Sequence, residues 1–192
     1  MVLESLICKY KACESHAEQV KTLSLLIFDK TQKIEFHKLS DEKRHLLEIG
    51  SGLHDIGYFI DAKGHNKHSS TLIKNEDFSG IDDKQKKIIA CIARYHRGSL
   101  PKQSHATFGS LSSKKQKTVQ KLAGIARLAD GLDSSHLNLV KDIDFKYCSK
   151  HNILWAKIIP KNFDFKIDLD SAIRKKDLFE KAFGVQLVLL NI

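Results

Sequence analysis

Apolar residues in the first two thirds of the chain recur at steps of three and four, the period of helices that bury one face. From Glu4 to about Asp29 the stripe reads Leu6, His16, Val20, Leu23, Leu26 and Ile27, and a polar turn at Lys30 to Lys38 ends it. Leu39-Ser40 places a hydrophobic residue before an N-cap serine, and Asp41 and Glu42 sit at the positive end of the helix that follows. Its stripe is Leu46, Leu47, Ile49 and Leu53, with a stop near Gly57. After a turn at Asp61 to Gly64, a short helix is expected from His65 to Lys74. Asp82 or Asp83 opens the next, whose stripe Ile88, Ile89, Ile92 and Tyr95 leads to His96 before Gly98 and Pro101 stop it. Arg97 to Leu111 has no sustained period and reads as a surface loop held near His96. Ser112 or Ser113 begins the last long helix, with Val119, Leu122, Ala123, Ala126 and Ala129 as its seam up to Asp130; Gly131 inside this run marks close packing rather than a helix end.

Near Asn138 the period shortens to about two. Three strands are expected, on Val140, Ile143, Phe145 and Tyr147, on Ile153, Trp155 and Ile158, and on Phe163, Phe165, Ile167 and Leu169. A helix over Ser171 to Phe183 and a strand over Val185 to Leu190 complete the pattern. The fold class is therefore mainly α with a small α+β part, divided into a helical domain at 1–138 and a small α+β domain at 139–192. A 192-residue chain that is 42% hydrophobic can form its core without covalent staples. Cys8, Cys13, Cys91 and Cys148 form no close pair, which fits a reducing compartment and a buried, inert Cys91. Charged residues interrupt the first 25 positions, and no stretch approaches the roughly 20 apolar residues of a membrane span, so a cytoplasmic protein is expected.

The strongest chemical signal is His54-Asp55, two metal-competent side chains in consecutive positions at the buried end of an apolar helix. Neighbouring helical residues point about 100° apart, so both reach one ion only where several helices converge. His16, His68, His96 and Asp130 are the suppliers expected from distant segments. Taken singly, His16 also reads as a hydrogen-bonded helix histidine, and Asp130 as a helix breaker beside Gly131. Together they favour a site, because a carboxylate behind the seam of Leu122, Ala126 and Ala129 needs a partner. Mixed imidazole and carboxylate ligands suit a divalent Mn, Fe, Co, Ni or Zn ion and, less comfortably, Mg. Either His68 and His96 hold a second ion bridged by Asp55, or they stay free for substrate contact and proton transfer.

Arg97 and Lys102 are candidates to hold phosphate oxygens beside the metal, while Arg94 and Arg127 also read as partners of core carboxylates. His65 is a candidate to orient a ligand from behind; Lys67 and Lys74 read as solvent-facing or as part of an anion funnel. The formal charge of +9 concentrates anions near the surface, compatible with phosphate esters, polyphosphate or nucleic acid, although clusters such as Lys114-Lys115-Lys117 also read as solvated helix faces. The chain contains neither a GxxxxGK[ST] loop nor GxGxxG, and its serines lack a nucleophile-elbow context.

The order His16, His54-Asp55, Asp130 resembles the HD phosphohydrolase superfamily. Longer strings, Leu53-His-Asp-Ile-Gly-Tyr-Phe-Ile, Gly64-His-Asn-Lys-His-Ser, Leu72-Ile-Lys-Asn, Ala93-Arg-Tyr-His-Arg-Gly and Arg127-Leu-Ala-Asp-Gly-Leu-Asp, resemble the C-terminal HD region of the exopolyphosphatase/guanosine pentaphosphate phosphohydrolase family over about residues 5 to 138. The resemblance implies an HD-type helical bundle in a bacterial cytoplasmic protein acting on polyphosphate, a guanosine phosphate or a related ester. Longer members carry their phosphatase chemistry on actin-like domains that these residues do not include. The metal-competent residues at all matching positions, His16, His54, Asp55, His68, His96 and Asp130, point to a free-standing phosphohydrolase using metal-activated water, with Asp55, Arg97 and Lys102 in catalytic roles. The competing expectation is a polyphosphate- or guanosine-phosphate-binding module that partners a separate actin-like-fold subunit. A homodimer is compatible with the lysine-rich surface; nucleic acid is disfavoured as a partner, because the tail has no glycine-rich RNA motif and only slight positive charge.

Overall fold

The computed structural model describes residues 2–162, 164, 167 and 169–191. The helical part comprises α1 (Val2–Lys9), α2 (Glu14–Lys33), α3 (Asp41–Gly52), α4 (His65–Asn75), α5 (Asp83–Tyr95), α6 (Ala106–Gly109) and α7 (Ser113–Leu132). Most of these begin and end as the apolar period predicts. Asp82 caps α5 through a reciprocal capping box with Gln85. Two boundaries differ from expectation. Helix α2 runs on to Lys33, because Thr31 is buried and bonds back to the Phe28 carbonyl rather than starting a turn. Helix α3 stops at Gly52, five residues before Gly57, and Ile56–Phe59 forms a separate 3-10 turn. His54 and Asp55 consequently stand in the connection beyond α3, where their directions are freed from the helical 100° step.

Gly57 sits where the 3-10 turn meets α4. Its amide donates to Ser69 Oγ at 2.8 Å, and a Cβ there would run into the His65 carbonyl and the Ser69 amide. The absence of a side chain at this position brings the Asp55 segment against the first turn of α4. In the Arg97–Leu111 connection, expected as loop throughout, α6 supplies one short helical turn, and Tyr95 Oη and His105 Nδ1, 2.9 Å apart, tie it to α5.

Beyond α7 the chain forms β1 (Val140–Cys148), β2 (Ile153–Pro160), α8 (Asp170–Lys175), α9 (Asp177–Phe183) and β3 (Gln186–Asn191). Strands β1 and β2 form an antiparallel hairpin, and β3 pairs parallel to β2 after the crossover through α8 and α9. On β2 the buried face is Leu154, Ala156 and Ile158, with Trp155 outward, one residue out of phase with the expected Ile153 and Trp155. Of the strand expected on Phe163, Phe165, Ile167 and Leu169, the two phenylalanines lie outside the described residues, while Ile167 and Leu169 belong to no strand. The single helix expected over Ser171 to Phe183 is two, separated at Lys176.

The helical and α+β parts share a continuous apolar cluster that includes Val20, Ile92, Leu122, Ile143 and Phe179. Gln19 Nε2 donates to the Val140 carbonyl at 2.8 Å, and Arg127 pairs with Asp177 at 2.8 Å. Arg127 thus pairs with a carboxylate, as one reading of it expected, but with a partly exposed one of α9 rather than one in the helical core. Gly131 stays within α7, and a Cβ on it would lie 2.7 Å from Ala172 Cα, so α8 can lie against α7 only because this position has no side chain. The Gly131→Ala variant should be destabilised by about 1–3 kcal/mol through overpacking. A urea midpoint unchanged from the parent would show that α8 does not rest on this face.

Candidate metal centre

Five segments end at one point. His16 comes from the first turn of α2, His54 and Asp55 from beyond α3, His65 from the first residue of α4, His96 from just past α5, and Asp130 from the last turn of α7. All six are buried. Asp55 is the hub: its Oδ2 stands 3.4 Å from His54 Nε2 and 3.8 Å from His16 Nε2, while its Oδ1 stands 3.2 Å from His65 Nε2 and 3.5 Å from His96 Nε2. Two groups of three follow, His16, His54 and Asp55 on one side and Asp55, His65 and His96 on the other, each with its ligand-competent atoms within 4.8 Å of one another.

The ring nitrogens facing away from the hub explain how the rings are held. His54 Nδ1 donates to the Ser51 carbonyl at 2.6 Å, His96 Nδ1 to the Ala93 carbonyl at 2.7 Å and His65 Nδ1 to the Ala62 carbonyl at 3.0 Å. Each partner lies three residues back, and for His54 and His96 it belongs to the last turn of a helix, where carbonyls have no intrahelical donor. His16 Nδ1 donates instead to Asp133 Oδ2 at 2.8 Å, and Asp133 Oδ1 accepts the Asn138 amide at 2.8 Å. A carbonyl or carboxylate can only accept, so each of the four rings, when neutral, carries its proton on Nδ1 and presents a bare Nε2 inward.

That tautomer makes the centre repulsive on its own. His16 Nε2 faces His54 Nε2 at 3.3 Å, and His65 Nε2 faces His96 Nε2 at 3.3 Å, lone pair against lone pair. Asp55 Oδ1 is sealed from solvent and receives no hydrogen bond, because the two rings beside it have spent their N–H groups on carbonyls. An unpaired buried carboxylate is unstable by several kcal/mol. Ligand atoms at about 2.1 Å from a shared divalent ion stand roughly 3.0–3.4 Å apart, close to these separations. The donor set fits a divalent cation.

Protons are the other way to relieve the repulsion. Burial pulls the His16 imidazole down, but Asp130 and Asp133 outweigh it and raise the group to about 9. Burial likewise opposes the charged form of His54, yet the Asp55 carboxylate moves it upward. His96, with burial dominant, falls to about 3. Burial alone would push Asp55 and Asp130 up; the imidazoles around them, His54 first for Asp55 and His16 first for Asp130, hold both well below the usual carboxylate range.

Of the residues expected as ligands, His16, His54, Asp55 and His96 are brought together around the Asp55 carboxylate. Asp130 touches this group through Oδ1, 3.5 Å from His16 Nε2, while its Oδ2 pairs with Lys175 at 2.5 Å. His68 belongs to neither ligand group; His65 takes its place. As the first residue of α4, His65 faces back toward Asp55, and three residues on, His68 lies about 4.5 Å farther along the axis. Of the two phosphate-binding candidates, Arg97 stands at the rim, Nη1 3.4 Å from His65 Nε2, whereas Lys102 is exposed and makes no polar contact with the centre. Its carbonyl accepts from His105, and the ammonium that reaches the centre is Lys175. Rings flank the mouth on both sides, Tyr58 stacked on His65 at 3.9 Å and His136 on His16 at 3.7 Å. Asp133 was legible in the motif Asp130-Gly-Leu-Asp by its three-residue spacing from Asp130; nothing local marks Lys175 or His136.

Comparison with known proteins decides the family. The family model for Ppx/GppA phosphatase, domain III, matches residues 2–179. The chain belongs to this family. It is 35% identical over 105 residues to the guanosine-5'-triphosphate,3'-diphosphate pyrophosphatase of Vibrio parahaemolyticus, a match covering 53% of this chain and 21% of the relative. It is 31% identical over 124 residues to the protein of the same name from Vibrio atlanticus, covering 63% and 24%. A third, from Pseudoalteromonas translucida, is 34% identical over 67 residues, covering 35% and 14%. The chain thus matches a quarter or less of each of these relatives. Among the described residues, no helix of this domain III chain is long and apolar enough to cross a membrane.

The raised His16 group gives a stability prediction for protein kept in a chelator. Between pH 6.5 and about 9 the folded His16 holds a proton that the unfolded side chain has released, so stability falls as pH rises through this interval. Thermal melts across it should show a decline that is reduced in His16→Gln; identical slopes would show that another group binds the proton.

Proposed function

We propose that this chain is a metal-dependent phosphohydrolase of the HD type, acting on a phosphate ester, nucleotide or polyphosphate through metal-activated water. The observation that carries the reading is the Asp55 carboxylate, each of whose oxygens faces a pair of imidazole Nε2 atoms whose far nitrogens are already committed. The relatives' shared name favours a guanosine polyphosphate among the candidate substrates.

His16, His54 and Asp55 would hold one ion of the Mn, Fe, Co, Ni, Zn or Mg series, with Asp130 Oδ1 as a further oxygen; Asp55, His65 and His96 would hold a second or face the substrate. Such an ion makes water a better nucleophile near neutral pH and draws charge from phosphoryl oxygens. The protein's own groups supply the rest. Asp133 fixes the His16 ring and its tautomer, and Lys175 fixes the Asp130 carboxylate by occupying one oxygen. Arg97, exposed at the rim beside Tyr58 and His65, offers paired N–H groups to the non-bridging oxygens of a phosphate entering from solvent.

His54→Ala and Asp55→Ala should each abolish metal retention, read by element analysis of purified protein, together with phosphate release from guanosine polyphosphates and polyphosphate. Arg97→Ala should keep its metal and lose about tenfold to a hundredfold in kcat/KM. Loss of the ion in that variant would remove Arg97 from its assigned role. Tight polyphosphate binding without phosphate release in the presence of any of these ions would overturn the hydrolase in favour of a binding module. Asp133→Ala, which frees the His16 ring while leaving every candidate ligand in place, should weaken metal affinity about 10- to 100-fold in chelator competition; unchanged affinity would mean that the ring is held by its stacking on His136 alone.

A further inference from the structure

The alternation of β2 turns the chain's only tryptophan outward. Leu154, Ala156 and Ile158 take the inner face, so Trp155 and Lys157 share the outer one. The register carries this across the sheet: Lys146 of β1 and Val188 of β3 flank Trp155 in one row, and Asp144 and Leu190 flank Lys157 in the next. The indole is 37% exposed and Leu190 is 42% exposed. Together with Lys146 and Lys157 they line a concavity of about 530 Å³ on this face. A large ring left outward beside a second exposed apolar side chain marks a surface that meets another molecule.

The charges around this ring are unbalanced. Among the described residues Asp144 is the one carboxylate in the lining, and Lys30 of α2 already holds it at 2.9 Å. Lys146 and Lys157 have no carboxylate within 4.0 Å among the described residues. Other acids of the α+β part are likewise engaged, Asp142 by Lys30, Asp177 by Arg127 and Glu180 by Lys176. The slight positive charge of this segment, too small in sum to suggest nucleic acid, is thus unevenly spread, with two unpaired ammonium groups beside the exposed ring.

We propose that the outer face of this sheet binds single-stranded nucleic acid, with a base stacked on Trp155 and the adjoining phosphates neutralised by Lys146 and Lys157. An exposed ring between unpaired cations matches a partner whose units are planar and apolar on their faces and anionic along their backbone. The spacing agrees. Lys146 stands directly opposite Trp155 on β1, with Cβ atoms about 5 Å apart, and Lys157 lies two residues farther on β2, about 6.7 Å along the strand. One ring is therefore bracketed by two charges, one across the sheet and one along it. Other occupants meet specific obstacles. A second copy of the chain would bring Lys146 and Lys157 against their own duplicates, and like charges facing each other are destabilising. A bilayer takes up side chains that project into it, whereas this indole forms part of a hollow. A duplex keeps its base faces stacked inside and offers none to Trp155. The face shares no residue with the metal centre, so it stands or falls apart from the hydrolase reading.

Because Trp155 is the only tryptophan, its fluorescence reports the contact directly. Titration of the full chain, kept in chelator, with a ten-nucleotide oligouridylate should quench the emission to a saturating value. Affinity, read by anisotropy of the labelled strand, should fall at least fivefold in Trp155→Ala and recover in part in Trp155→Phe. In Lys146→Ala/Lys157→Ala it should also fall, and the slope of log affinity against log salt should lessen by about 1.4, as two lost phosphate contacts require. These side chains are exposed, so the variants should keep the parent's thermal midpoint. Binding without quenching that survives Trp155→Ala would put the strand elsewhere and overturn the assignment. A duplex of the same length, or inorganic polyphosphate, bound as tightly and with the same sensitivity to the lysine variant would reduce the face to a charged patch and overturn it too. A blue shift on phosphatidylglycerol vesicles with no response to the oligonucleotide would assign the face to a membrane surface instead. A dimeric parent that ignores the oligonucleotide and becomes monomeric in Trp155→Ala would assign it to a second copy.

Discussion

The structure is organised around one buried carboxylate. Asp55 lies where five chain segments meet, with each oxygen opposed by two imidazole nitrogens that present lone pairs. Such a point is unstable without positive charge, whether protons or a divalent ion, so the surrounding elements can keep it only if the charge is supplied. Metal binding to a site of this kind adds to the stability of the folded state, since the unfolded chain has no comparable arrangement. The helix ends that meet here are therefore scaffold and, on the function proposed above, ligand set as well.

Orientation is achieved with few dedicated residues. Three of the four rings take the carbonyl three residues before them as the acceptor for Nδ1, so backbone geometry fixes the tautomer with no further side chain. Of the four rings only His16 uses a carboxylate, and Asp133 supplies it from the opposite end of the chain's helical part. Gly57 completes the construction by letting the Asp55 segment lie against α4 closely enough for His65 to reach Oδ1.

The helices were legible because their apolar stripes are long and their caps chemically explicit, as at Asp82 with Gln85. His16, His54, Asp55 and His96 were legible for a different reason: each is a metal-competent group at a position where the apolar seam meets a helix end. The choice between His65 and His68 was not, since both lie on one face of one short helix and only the tertiary approach of its first turn to Asp55 separates them. Lys175 was invisible for a physical reason as well. Its approach to Asp130 depends on α8 lying against Gly131, a tertiary contact that neither local spacing nor the period of α8 encodes. Trp155 misled in the opposite sense: a large aromatic in a strand suggests the buried face, yet Ala156 beside it is buried and the indole is outward.

The α8 contact also changes what the strand-rich segment means for the site. A lysine from that segment occupies one oxygen of Asp130, leaving the other toward His16. An ammonium there contributes positive charge without filling a coordination position at Asp55, so the His16 side of the centre receives help that the His65 side does not. On that second side the exposed cation is Arg97, whose N–H groups can follow an entering phosphate. The two sides of Asp55 are thus electrostatically unequal. On the function proposed above, the His16 side, backed by Asp133, Asp130 and Lys175, would hold its ion firmly, while the His65 side, open toward Arg97 and the exposed Tyr58, would meet substrate.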